Sequence, residues 1–519
     1  MKKYMLATTL CLLAFSENIF AQYASDALRY SQTNFGGSAR FQATGGAGTS
    51  LGGDISAAYY NPAGLGFNRK SEFSISPSLA IIATDGTMNG TTASDNRTNF
   101  NINQFGVSFA FPKDGTSSDW KGGTFAITFT RINNFNNNTI YSGRNDNNSI
   151  IDSWIDNTNR YFSVSNLNNQ VNNGIYDNEA MAYDTYLINF YQNTSGTGKF
   201  DSEVYPGSSL QREKITETGS QNQWNIAYGA NYKDFLYIGG GIGIQTINYQ
   251  RQRVFTETQT TMYPVKDANG NMIPKIFDNL TLTDNLTQNG TGFNLNIGAI
   301  VRPVEFWRIG ASFTSPTWHS ITENYNASLN VNYNGYQIID NGISKTLNNV
   351  KSNTLQLDSD LTITTPLRIN TGTSVIIAKK GFLSVDAEYV NYASSKISAT
   401  FNVDDDNSEI QNNYAATWNF RAGGELRLDK FRLRLGAAHY GTPYKTKDNI
   451  NQPKIFITGG VGYYSKKNFF DITIVQQTNT VAYQIYKYSN DFVNRIGNPP
   501  VAALQTSRTN VVFTAGFFF

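Results

Sequence analysis

Phe35-Gly-Gly-Ser-Ala-Arg-Phe-Gln-Ala-Thr-Gly-Gly-Ala-Gly-Thr-Ser-Leu-Gly-Gly-Asp-Ile-Ser-Ala-Ala-Tyr-Tyr-Asn-Pro-Ala-Gly-Leu-Gly-Phe67 is the stretch that decides the fold. Nine of its residues are glycine. Glycine at that density costs chain entropy and leaves little side chain to pack. The segment reads as neither a good helix nor a good strand. It keeps a shape only if the rest of the chain encloses it, and a closed sheet does so.

The residues that follow carry the period of such a sheet. In 221–233, Trp224, Ile226, Tyr228, Ala230 and Tyr232 share one face, and Asn225, Ala227, Gly229 and Asn231 the other. Successive strand side chains point to opposite sides, so this strand has an apolar and a polar face. In a bilayer the apolar face is outside and the polar face lines the lumen. Alternating segments are expected at 71–84, 99–111, 123–135, 221–233, 235–250, 291–302, 306–321, 361–378, 382–396, 414–428, 431–440, 454–464, 469–481 and 505–519. That makes a fourteen-stranded antiparallel transmembrane β-barrel of the all-β class, an even count with both ends in the periplasm.

The connections alternate in length. Short polar turns are expected at 112–122, Lys233-Asp234, 303–305, 379–381, Asp429-Lys430 and 465–468, and longer external loops between them. The longest, about 136–219, is rich in Asn and Ser at its start and reads as a solvated surface loop. Its less polar parts, 150–155 and 181–191, are placed to fold back over the mouth.

Composition supports this class. Only 15% of the 519 residues are charged, 13% are aromatic, and the net charge of +2 gives no electrostatic reason to expect nucleic acid as a partner. Mean hydropathy is negative, and no apolar run approaches 18 residues, which argues against membrane helices. Residues 1–21 have the pattern of an export signal: Lys2 and Lys3, an apolar core from Met5 to Phe15, and Ile19-Phe20-Ala21 before the cut. The only cysteine, Cys11, lies inside it after Thr-Thr-Leu, a poor lipobox. The exported chain then has neither disulfides nor a Cys-held metal. The division is 1–21 signal, 22–69 N-terminal segment and 70–519 barrel.

The chain ends Val511-Val512-Phe513-Thr514-Ala515-Gly516-Phe517-Phe518-Phe519. Phe513, Phe517 and Phe519 share one face. This ending is similar to the signal read by the outer-membrane assembly machinery, an expected partner.

The whole pattern resembles the FadL/TodX family of outer-membrane transporters for hydrophobic compounds. The resemblance rests on the glycine-rich start, on Asn61-Pro62-Ala63 with Asp54 before it, and on the final strand. It implies that 22–69 is a hatch plugging the lumen, with Asp54, Asn61, Pro62 and Ala63 as hatch residues. It also implies passive uptake of a hydrophobic small molecule, such as a long-chain fatty acid or a hydrocarbon. The expected protein is a monomer among outer-membrane lipids in a Gram-negative bacterium, with no cofactor and no enzymatic activity. In the family, solute leaves sideways through a gap in the wall, and Pro77 is one residue able to disrupt a strand ladder. Alternatives are a FadL-type barrel acting as a secretion shuttle or anchor, and a structural or adhesive surface barrel.

Other groupings read more simply as barrel features. His319 and His439, the only histidines, stand beside Trp318 and Tyr440 and suit lumen or interface positions better than haem ligation or a barrel hydrolase. Asp404, Asp405, Asp406 and Glu409 lack the spacing of a calcium loop and read as a solvated external loop. Gly239, Gly240, Gly241 and Gly243 lack the helix that a dinucleotide loop needs and read as small wall residues.

Overall fold

The computed structural model describes residues 21–113, 118–192, 198–202, 208–260, 265–266, 272–273, 277–340, 342–378, 380–445 and 450–519. The export signal expected at 1–21, with Cys11, lies outside the described residues apart from Ala21. So do residues 114–117 of the first expected turn, and Lys379 of another.

The chain begins with four short elements inside the barrel. These are α1 (Ala21–Ser31), α2 (Ala39–Ala43), α3 (Ala57–Tyr60) and a 3-10 turn, Pro62–Phe67. Fourteen antiparallel strands follow and close on themselves. They are β1 (Glu72–Met88), β2 (Thr91–Pro112), β3 (Trp120–Asn134), β4 (Ser209–Tyr232), β5 (Leu236–Gln259) and β6 (Phe277–Val304). β7 runs in two parts, Trp307–Thr314 and Trp318–Asp340, and β8 likewise, Leu355–Thr364 and Arg368–Ile377. β9 is Gly381–Asn391, continued by Lys396–Ala399. β10 (Ala416–Leu428), β11 (Phe431–Tyr440), β12 (Lys454–Tyr464), β13 (Asn468–Gln484) and β14 (Val501–Phe518) complete the wall. β14 pairs with β1, Phe517 opposite Phe73 and Val512 opposite Ser78, which closes the barrel wall.

The outer surface carries the apolar band that a bilayer requires. Trp224, Ile226 and Tyr228 are exposed, whereas Asn225 and Asn231 are buried in the lumen, as the alternation predicts. Exposed Phe73, Phe111, Trp120, Phe235 and Phe306 form an aromatic girdle at the turn end, and Phe100, Trp224, Phe293, Trp318 and Trp418 a second one above it. Phe513, Phe517 and Phe519 also face out.

Several strands are longer than their sequence pattern suggests, and their faces exchange polarity part-way. On β6 the even positions from Leu280 to Ile300 face inward. Below Gly292 the inward residues are Asn294 and Asn296, with Phe293, Leu295 and Ile297 exposed outside. Above Gly290 the inward residues include Leu280, Leu282 and Leu286, all buried, while the outward ones are Thr281, Thr283, Asn285, Thr287 and Asn289. The lower region, about nine residues long, matches the reach of a tilted membrane strand. The upper one projects beyond the bilayer, where water is outside and an apolar core inside.

That upper core corrects the reading of 136–219 as a solvated loop. Residues within it form α4 (Ile150–Tyr161), α5 (Val164–Asn173) and α6 (Asn178–Asp184), each begun by a side-chain cap, from Ser149, Ser163 and Asp177. Ile150, Ile151, Trp154, Ile155 and Met181 are buried against Leu280, Leu286, Leu329 and Val331 of the strands and Leu28 of α1. The apolar parts fold back over the mouth, as expected. The acidic stretch at 404–409 is also more than a solvated loop. It lies in α7 (Asp404–Asn413), and buried Asp406 accepts a hydrogen bond from the Ala24 backbone N–H at 3.3 Å.

Candidate solute path

The glycine-rich segment crosses the lumen and is bonded to the wall around much of its circumference. Gly48 and Thr49 donate their backbone N–H groups to one carboxylate oxygen of Asp386 on β9, each at 2.9 Å. Thr458 of β12 donates to Ala43 O at 2.9 Å and accepts from Gly45 N at 3.1 Å. Thr473 of β13 donates to Ala39 O, and Ala39 N donates to Thr514 of β14, both at 2.7 Å. A segment poor in side chains is thus held by its backbone, whose buried polar groups must be paired.

The residues that the resemblance implies as a hatch occupy defined places. Asp54 accepts from the Ser38 hydroxyl and from Ser56 N–H, both at 2.8 Å. Ser56 in turn donates to Gln104 of β2 at 2.9 Å. Asp54 therefore ties two turns of the segment together next to the wall. Asn61 ends α3 and caps the 3-10 turn: its Oδ1 accepts from Ala63 N at 3.1 Å. Its Nδ2 donates to Thr49 O at 2.7 Å, and reaches Ala311 O of β7 at 3.3 Å and Ala299 O of β6 at 3.4 Å. Pro62 starts the 3-10 turn, a position that needs no N–H and suits its fixed φ. Ala63 and Asn61 are fully or almost fully buried.

The wall supplies what the sequence reading had not matched to these residues. A Cβ on Gly298 of β6 would collide with the Asn61 amide, and one on Gly239 of β5 with Pro62. Gly423 and Gly436, on β10 and β11, make room for the backbone at Thr44. The inward glycines of the strands are a seat for the segment, which gives Gly239 a physical role in the wall. Polar, glycine-bearing inner faces are the sequence signal that could have pointed to it.

Beneath this seat, buried ions brace the wall. Arg434 of β11 bonds Glu425 at 2.7 Å and Asp471 at 2.6 Å. Beside the segment, Arg368 pairs with Glu388 at 2.8 Å, and Arg421 donates to Asn370 at 2.5 Å. These last groups line a cavity of ≈ 590 Å³ together with Tyr59, Tyr60 and residues at the backbone breaks of β7 and β8, 315–317 and 365–367. Above it lies a wider space of ≈ 1010 Å³ between the segment and the wall.

The remaining sequence candidates fall as follows. His319 is fully buried in the lumen, its ring 6.5 Å from that of Tyr30, and His439 points outward from β11. Pro77 coincides with a shift of register between β1 and β2 at Ser76/Pro77.

A family profile described as "Outer membrane protein transport protein (OMPP1/FadL/TodX)" matches residues 19–482. The chain belongs to this family. The FadL/TodX-type fold is similar to the crystal structure of a Pseudomonas aeruginosa FadL homologue, at 12% identity and a TM-score of 0.55, covering 94% of this chain and 98% of that one. It is also similar to that of the P. putida toluene transporter TodX, at 12% identity and a TM-score of 0.50, covering 94% and 99%. The sequence has no match among curated proteins. Family membership makes this FadL/TodX-type barrel an outer-membrane transport protein for hydrophobic compounds in a Gram-negative bacterium, and not an enzyme.

Proposed function

We propose that the barrel takes up long-chain fatty acids or hydrocarbons passively, and that residues 22–69 are the hatch that gates them. The observation that carries this reading is the Asn61–Pro62 seat: a backbone-bonded segment resting on bare glycines fills the lumen, with Phe35, Phe41, Tyr60 and Leu65 packed beside it. Its polar bonds to the wall are single hydrogen bonds of about 1 kcal/mol net each, and part of its aromatic packing, such as Phe41 stacked on Tyr60, lies within the segment and moves with it. The apolar core above it offers an entering chain a surface that the polysaccharide outside does not. Two interruptions of the wall ladder are candidates for a sideways exit: the shift at Pro77, and the facing breaks that hold Pro316 and Pro366.

The test is the double variant Asn61→Ala with Pro62→Ala. The barrel should assemble, uptake of a labelled long-chain fatty acid should fall, and single-channel conductance in planar bilayers should rise. An assembled double variant matching wild type in both measurements sinks the gate, and the secretion-shuttle reading then moves ahead.

A further inference from the structure

Every junction at the turn end of the barrel carries a cation. The turns between strands hold Lys113, Lys233, Arg302, Lys380, Lys430 and the pair Lys466-Lys467, and the chain enters β1 through Arg69-Lys70. All are exposed except Arg302, which is half-buried. Fewer carboxylates stand at these turns: among the described residues, Asp119, Asp234, Glu305 and Asp429. Two of them are already used, Asp119 at 3.1 Å from Lys233 and Asp234 at 2.9 Å from Arg69. Among the described residues, Lys380, Lys430, Lys466 and Lys467 form no ion pair. The whole chain carries only +2, so this end is positive at the expense of the rest.

Turn chemistry does not account for these lysines. Lys233 and Asp234 both have a left-handed backbone, with φ of 56° and 52°. That geometry suits Asn-Gly, and a lysine adopts it against its own preference.

The cations also stand at one height. Lys113 is two residues past Phe111, Lys233 two before Phe235 and Lys430 one before Phe431, and all three aromatics are exposed on the outer wall. One or two residues advance a strand by about 3–7 Å. The headgroup layer on each side of the hydrocarbon is about 5–7 Å deep. The ammonium groups therefore lie in that layer, and their long stems let them bend back to lipid phosphates. Short turns of outer-membrane barrels face the periplasm, so the layer belongs to the inner, phospholipid leaflet. A soluble protein beside the barrel would meet a patch on one side. Cations at every junction, next to lipid-facing aromatics, are met together by what surrounds the wall.

We infer that the turn end is a binding ring for anionic phospholipid of the phosphatidylglycerol class, which it gathers around the periplasmic rim of the barrel. The attraction is between exposed charges, so salt weakens it.

The test reconstitutes the full-length barrel in phosphatidylcholine bilayers with a trace of spin-labelled phosphatidylglycerol or spin-labelled phosphatidylcholine. The motionally restricted fraction gives the relative affinity of each lipid for the wall. Phosphatidylglycerol should be preferred by about fivefold, the scale of one basic residue at an anionic surface. The preference should vanish in about 1 M salt, where the Debye length is about 3 Å. Lys380→Gln, Lys430→Gln, Lys466→Gln and Lys467→Gln together should cut it to about twofold or less. Lys351→Gln, exposed on the external extension, should leave it unchanged. Heat-modifiable mobility checks that each variant has folded, and the salt series on wild type needs no variant. Equal affinity in wild type overturns the inference and leaves a soluble acidic partner as the occupant of the ring. A preference that survives salt or the quadruple variant also overturns it, as does loss of the preference in Lys351→Gln.

Discussion

The Asn61 side chain occupies the space that a Cβ on Gly298 would need. Asn61 also reaches the carbonyl oxygens of Ala299 and Ala311 next to that point, so one glycine sets how closely the glycine-rich segment approaches the seam between β6 and β7. Gly298→Val should therefore leave the barrel paired but lift Asn61 from its seat. Overpacking of this kind costs about 1–3 kcal/mol. Limited proteolysis within residues 22–69 should speed up by about tenfold for each 1.4 kcal/mol lost, while the barrel keeps its heat-modifiable mobility. An unchanged cleavage rate would show that the seat does not hold the glycine-rich segment.

The Arg434 guanidinium is fully buried between Glu425 and Asp471. Arg434→Met leaves buried Asp471 without its cation and takes from Glu425 one of the arginines around it, and breaking such a network typically costs about 3–5 kcal/mol. The urea midpoint of the folded barrel, followed by tryptophan fluorescence, should drop accordingly. Replacing Arg434, Glu425 and Asp471 together by apolar residues of similar size should recover much of the loss. Failure of the single variant to shift the midpoint would show that the trio is solvated.

Burial raises the Asp406 carboxyl to about 7, against the lowering effect of its hydrogen bond from Ala24. Glu179 in α6 is raised to about 7 by burial and by the nearby charge of Asp177. Between about pH 4 and 7 the folded protein therefore holds protons that the unfolded chain has released. The stability that these groups contribute is present at the acid end of that window and is lost as pH rises towards 7, with no further change above it. Amide exchange in α1 and α6 should be slowest near pH 5 after correction for intrinsic rates, and faster near pH 8. Asp406→Asn with Glu179→Gln should remove that difference. A pH dependence that survives the double change would assign it to other groups.

Phe517 pairs with Phe73 and Phe518 with Glu72, and Phe519 N–H donates to Ser71 O at 3.0 Å. Deleting Phe517 to Phe519 thus removes both an outward aromatic face and the last bonds that close the barrel. The substitutions Phe513→Ala, Phe517→Ala and Phe519→Ala keep the backbone and separate the two effects. If the aromatic face is the assembly signal, the triple variant should accumulate as protease-sensitive periplasmic protein, as the deletion does. Normal assembly of the triple variant would leave closure as the only role of these residues.

Much of the barrel was legible in the chain, because in a bilayer the period-2 pattern has one meaning. Trp224, Ile226 and Tyr228 face lipid, and Asn225 and Asn231 face the lumen. The strand near Thr291 shows why the boundaries were not. The period continues upward through Leu286, Leu282 and Leu280, but there the apolar residues are the inward ones, packed on the helices of the long loop. A reading tuned to lipid stops where lipid stops. The same limit hid the folded cap, whose helices Ile150–Tyr161 and Asn178–Asp184 lie in a stretch dominated by Asn and Ser.

By itself the sequence determined the barrel, its strand count, the side each strand shows to the membrane, and a glycine-rich segment in need of enclosure. These follow from local alternation and from turn chemistry, which act over a few residues. Only the tertiary structure decided that Asn61 rests on Gly298 and Pro62 on Gly239, and that Asp386 holds Gly48 and Thr49. These partners lie on strands far apart in the chain. Closure of the sheet around the glycine-rich segment is what brings them within contact distance.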